Sequence, residues 1–187
     1  MPFMNQQEIE RFNFKHVGKN VKLSSLASFD KPNLMSFGDN SRVDDFCALS
    51  GSITLGRNVH IAVMNSITAS QDPIFFSDFS GLAFGCKLFS ASDDYSGETL
   101  TNPTVPQRYK KIEHGAIRLG RHVIVGANSV IFPGVEIAEG CAIGANSLVN
   151  NSTRPWGIYL GSPARRIKER SMNLLEFEKK YLSEEIQ

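Results

Sequence analysis

Branched aliphatic and aromatic residues recur along the chain at every sixth position. From Leu119 the step lands on Val125, Ile131, Ile137, Ile143 and Val149 without a gap. Three earlier runs follow the same rule: Val17, Leu23 and Phe29; Phe37, Val43, Leu49, Leu55, Ile61 and Ile67; then Phe76, Leu82 and Leu88. A period of six fits neither an amphipathic helix, at about 3.6, nor an alternating strand, at about 2. It predicts a solenoid of short parallel strands, each hexad supplying one strand and one corner, with the aliphatic residue in the core. The next position is often small, as in Gly120, Gly126, Ala138 and Gly144. The fifth is small or β-branched (Val123, Ser129, Val135, Cys141, Ser147) and is expected to face inward near a corner.

Two segments leave this pattern. Residues 89–116 form a long polar interruption, and loops of that length inside a compact domain are usually functional or disordered. Past Val149 the repeat stops. From about Ala164 the tail reads as an amphipathic helix with Ile167, Leu174, Leu175, Phe177, Tyr181 and Leu182 on its apolar face. Such a helix can cap an open solenoid end. The expected organisation is an N-terminal cap over 1–16, a β-helix over 17–163 and a C-terminal helix over 164–187.

Composition narrows the function. Of the 187 residues, 41% are hydrophobic and 21% charged, an ordinary globular balance. A net charge of +1, from 20 basic and 19 acidic residues, argues against a dedicated nucleic-acid binder. No stretch approaches the roughly 20 apolar residues of a membrane span, and the polar start has no signal-like apolar region. The expected compartment is the cytoplasm. Cys47, Cys86 and Cys141 lack CxxC spacing, and all fall on fifth positions, so they read as small buried hydrophobes.

The in-phase hexads, together with VGANSVIFPGVEI, IGANSLV and LGSPARRIKER in that order, resemble the hexapeptide-repeat acyltransferases. The likeness runs from about residue 17 to 170. It is greatest to sugar O-acetyltransferases of the maltose/galactoside type and to those of capsule and O-antigen synthesis. The resemblance implies an all-β, left-handed parallel β-helix, acetyl-CoA as acyl donor, and a homotrimer with active sites between subunits. Flat faces of a three-sided prism are also suited to packing side by side.

Acyl transfer from a thioester needs a base for the acceptor's proton and a slot for coenzyme A. The resemblance places the base on a histidine of the interrupting loop, but here SASDDYSGETL has none. Among His16, His60, His114 and His122, the candidate is His60, at a corner one rung before the loop. Asp93 or Asp94 is expected to orient it. Asn65, Tyr95, Asp44 and Asp45 are candidate acceptor contacts. His122 reads as a surface residue, His16 as structural and His114 as a possible ligand contact at the loop's end. For coenzyme A the resemblance implies Gly126, Ala127, Ser129, Gly144 and Ala145 along pantetheine, Pro163 near adenine, and Arg165, Arg166 and Lys168 on the phosphates. Trp156 either stacks on adenine or caps the core.

The leading expectation is acetyl transfer to a sugar hydroxyl in surface-polysaccharide synthesis. The alternative is transfer to the amine of a nucleotide-linked amino sugar, since an alcohol needs a base more than an amine does. A non-catalytic scaffold ranks below both. A zinc enzyme on this fold needs three converging histidines; their spacing offers no such set, and no metal is expected.

Overall fold

The computed structural model describes residues 1–185. The chain winds into a parallel β-solenoid of about seven turns with three flat faces. The first face stacks His16–Val17, Ser36–Phe37, 54–55, 74–76, Ile117–Leu119 and Glu136–Ile137. The second stacks Lys22–Leu23, Arg42–Val43, His60–Ile61, Gly81–Leu82, Ile124–Val125, Ala142–Ile143 and Gly157–Leu160. The third stacks Ser28–Asp30, 48–50, 66–69, Lys87–Phe89, Val130–Ile131 and Leu148–Val149.

The sixth-position residues make the core. Leu23, Val43, Ile61, Leu82, Val125 and Ile143 form one inward ladder, each at most 3% exposed. Full burial of such a side chain contributes about 1.5–3 kcal/mol. The three cysteines are buried on their fifth positions, and each thiol sits near a main-chain carbonyl of an adjacent rung or corner.

The corners between the first and second faces pass through the left-handed backbone region, which asparagine tolerates better than most residues. They are held by Asn20, Asn40 and Asn58, then by Phe79, His122, Gly140 and Trp156. The amide of each such residue from Asn40 onward donates to the corner one turn before it, for example Asn58 to Asp39 and His122 to Asp78. The rings of Phe79 and His122 stack at 5.3 Å, with Trp156 next at 6.5 Å, so aromatic stacking stabilises bulky residues in a conformation they otherwise disfavour.

Residues 89–116 leave the third face as a hairpin, Ala91–Asp93 antiparallel to Ile112–His114, with an irregular tip. Helix α1 (Gln6–Arg11) carries an Asn5–Glu8 capping box at the start of the chain. The end of the chain differs from the expected helix over 164–187. Arg165–Glu169 is a strand, antiparallel to Gly157–Leu160, and helix α2 begins only at Leu174 and runs to Glu185. The last strand of a solenoid leaves an unpaired edge, and an Arg/Lys/Glu strand covers it while remaining soluble. Residues 186–187 lie outside the described residues. Helix α2 lies along the corner between the first and second faces: Glu178 meets Arg121 and His122, Tyr181 meets Asn58 and Phe79, and Glu185 meets Arg57 and Asn40. Among the described residues no helix is long and apolar enough to cross a membrane.

Candidate active site

The outward residues of the second face form a column in register: Lys22, Arg42, His60, Gly81, Ile124 and Ala142. His60 and Arg42 sit one turn apart, and Asp44 lies between them at the strand end. Asp44 Oδ1 accepts from Arg42 Nε at 2.6 Å, and Oδ2 lies 2.9 Å from His60 Nε2. The carboxylate is 3% exposed, whereas the imidazole is 51% exposed. Burial pushes the Asp44 carboxyl up, but the hydrogen bonds and charges of Arg42 and His60 outweigh it and hold the group below its ordinary value. Asp44 therefore stays ionised beside an accessible imidazole, an arrangement that orients a base.

His60 opens onto a groove of about 380 Å³ lined by Asn58, Phe79, Ser80, Gly81, Val123 and Ile124, with Ala62 and Ala83 at its rim. Gly81 stands beside His60 on the next turn. A Cβ there would stand 2.8 Å from the His60 carbonyl oxygen. Helix α2 supports the groove from behind through Asn58 and Phe79.

Asp93 and Asp94 do not orient His60 within one chain, because both are engaged in the loop. Asp93 accepts from the Asn102 amide. Asp94 accepts from Ser96 and Thr99, whose hydrogen bonds bring its carboxyl down to about 2. The orienting carboxylate is Asp44, read from sequence as an acceptor contact. Asn65 is also corrected. It is 1% exposed and turned inward, donating to the Ala62 and Ala83 carbonyls and accepting from the Cys86 amide. Asp45 accepts from the Ser24 hydroxyl, and Tyr95 stands exposed on the loop.

His122 is not a surface residue. It is 8% exposed and 3.1 Å from Glu178 of α2. His114 lies on the hairpin, 3.9 Å from Asp72, and His16 is exposed on the first strand. Of the four histidines, His60 alone lines this groove.

Gly126, Ala127, Gly144 and Ala145 stack at the corner between the second and third faces. A Cβ on Gly126 would stand 2.5 Å from the Ala145 amide, so its bareness serves rung-to-rung contact. Ser129 is fully buried, donating to the Gly144 carbonyl and accepting from the Ser147 amide, so it is not a free ligand contact. Trp156 is half-buried in the corner column, packed over Gly140 and beside the His122 ring. Pro163, Arg165 and Lys168 are exposed, and Arg166 pairs with Glu169. Two residues of this region were missed from sequence, Arg42 and Gly81. A spacing of 18, three hexads, marks Arg42 and His60 as turn neighbours; Gly81 is displaced by three inserted residues. Among the described residues no cluster of three or more His, Cys, Asp or Glu is placed to hold a metal ion.

Known proteins sharpen the picture. No family model matches the chain. An Escherichia coli dTDP-4-amino-4,6-dideoxy-D-glucose acyltransferase is 38% identical over 181 residues, 95% of this chain and 94% of the relative. The structure of AntD, an N-acyltransferase from Bacillus cereus, in complex with dTDP and 3-hydroxybutyryl-CoA, superposes with a TM-score of 0.98 at 41% identity over 100% of both chains. A maltose O-acetyltransferase from Clostridium difficile 630, at 20% identity and a TM-score of 0.57 over 89% of this chain and 74% of its own, shares the fold.

Proposed function

Because the chain belongs to the hexapeptide-repeat sugar acyltransferases, which use coenzyme A thioesters, we propose that it acylates the amine of a dTDP-linked 4-amino-4,6-dideoxyhexose. The observation that carries this reading is whole-length similarity to two enzymes, one named for that acceptor and the other an N-acyltransferase. The sugar hydroxyl, the leading expectation from sequence, gives way to the amine. The absence of a loop histidine fits the same reading, since an amine is the stronger nucleophile.

In the proposed reaction His60 takes one proton from the acceptor's ammonium group. The freed nitrogen attacks the thioester carbonyl carbon, the C–S bond breaks, and coenzyme A leaves as the thiolate. The second nitrogen proton passes to that thiolate as the amide forms. Gly126, Ala127, Gly144 and Ala145 line the donor path, with Pro163, Arg165, Arg166 and Lys168 towards the nucleotide end. Asp93, Asp94, Tyr95 and Asp45 are assigned to the acceptor side.

We read the working unit as a homotrimer. Supporting it is a ridge of exposed apolar residues beside the groove: Leu26 at 47%, Phe46 at 58%, Met64 at 62% and Phe84 at 62%. Contiguous apolar surface of this kind marks an interaction site. A role in surface-polysaccharide synthesis and a cytoplasmic location follow from the proposed substrates.

The test is thiol release from acetyl-CoA and from 3-hydroxybutyryl-CoA, with dTDP-4-amino-4,6-dideoxyglucose set against maltose and other plain sugars. Turnover is expected with the amino sugar alone. Turnover with a plain sugar and none with the amino sugar overturns the reading.

A further inference from the structure

His60 has two ring nitrogens, and which one acts as the base is decided by what the other touches. Here Nε2 faces Asp44 Oδ2 at 2.9 Å. The other oxygen, Oδ1, is occupied by Arg42 Nε at 2.6 Å. The Arg42 guanidinium lies 5.1 Å over the Phe3 ring and 3.1 Å from the Met1 thioether, so the start of the chain holds it in place. Lys22 stands beyond Arg42 in the column, and on the far side of His60 come Gly81 and Ile124, both uncharged. Asp44 and Arg42 are thus the charged partners that this face presents to the imidazole.

We propose that Arg42 is a positioning residue. By taking one oxygen of Asp44 it turns the other to Nε2, holds neutral His60 as the Nε2–H tautomer, and leaves Nδ1 as the basic nitrogen. This inference rests on the reading of His60 as the base.

The test has two arms. In protein labelled with ¹⁵N at histidine, long-range ¹H–¹⁵N correlation reads the His60 tautomer directly, its signal assigned by loss in His60→Gln. The wild type is expected to show Nε2–H, and Arg42→Met a mixture of tautomers. In the second arm, kcat/KM is expected to fall about tenfold or more in Arg42→Met with an unchanged urea midpoint, and Arg42→Lys, which keeps a cation beside Asp44, should recover part of the loss. A loss that is purely structural would lower the urea midpoint together with kcat/KM. An unchanged tautomer and an unchanged kcat/KM in Arg42→Met overturn the inference. If His60→Gln keeps wild-type turnover, the base reading falls instead, and the tautomer measurement still judges Arg42 by itself.

Discussion

Replacing Asn65 by alanine separates two accounts of that residue. Its side-chain nitrogen donates to the Ala62 carbonyl at 2.7 Å and the Ala83 carbonyl at 2.9 Å, and its oxygen accepts the Cys86 amide at 2.9 Å. Both carbonyls also lie near cysteine thiols, Cys47 on Ala62 and Cys86 on Ala83. The group stranded by the substitution is therefore chiefly the Cys86 N–H, and a buried donor left unmade costs about 1–3 kcal/mol. Each of the other two bonds is a net loss of about 0.5–1.5 kcal/mol. The sum is about 2–6 kcal/mol. Urea denaturation at fixed protomer concentration should show a lowered midpoint, and the Cys86 amide should exchange faster than its neighbours. The variant that remains folded should keep its acceptor KM. A stability loss under about 1 kcal/mol, or a raised acceptor KM with unchanged stability, refutes the core assignment and returns Asn65 to the acceptor pocket.

Other outcomes follow from the same geometry. Gly81→Val fills the space beside His60 and forces its backbone to shift, so kcat/KM should fall about a hundredfold or more; wild-type thiol release from a folded variant sinks this view of the groove. Glu178→Gln removes the carboxylate shared by His122 and Arg121, and α2 should detach more readily, by about 1–3 kcal/mol, read as faster proteolysis within 174–185. The Asp44 carboxyl titrates below its ordinary value in the folded chain. Its stabilising contribution is therefore complete above about pH 4 and is lost as pH falls towards the lower folded value. Acid unfolding of Asp44→Asn should be less steep than that of wild type in this window; equal slopes would show that the ion pair adds nothing.

Much of the fold was legible because one inward residue per hexad is a physical requirement of a narrow prism. Val43, Ile61 and Val125 declare themselves by spacing alone, and the cysteines by phase. What lay hidden is contact between turns. Arg42 and His60 are 18 residues apart and can be paired by counting, but His60 and Gly81 are 21 apart, since the third turn bulges before closing. Asp93 and Asp94 drew attention through proximity to the loop, whereas Asp44 reaches His60 through register. Asn65 misled because a polar fifth position looks like a broken hexad; its three hydrogen bonds make it an inward corner residue. The strand Arg165–Glu169 was hidden for another reason. Its side chains face solvent, so they carry no apolar alternation, and only the exposed edge of Gly157–Leu160 calls for it.

A solenoid in which each turn touches only its neighbours can melt like a zipper, one turn at a time from either end. Helix α2 removes that freedom. By fastening to Asn40, Arg57, Asn58, Phe79 and His122, it ties four successive corners to one rigid rod. No single turn among these can fray without releasing the rod, and releasing it frees all of them together. The groove around His60 lies inside this tied stretch, so its geometry is kept or lost as a unit.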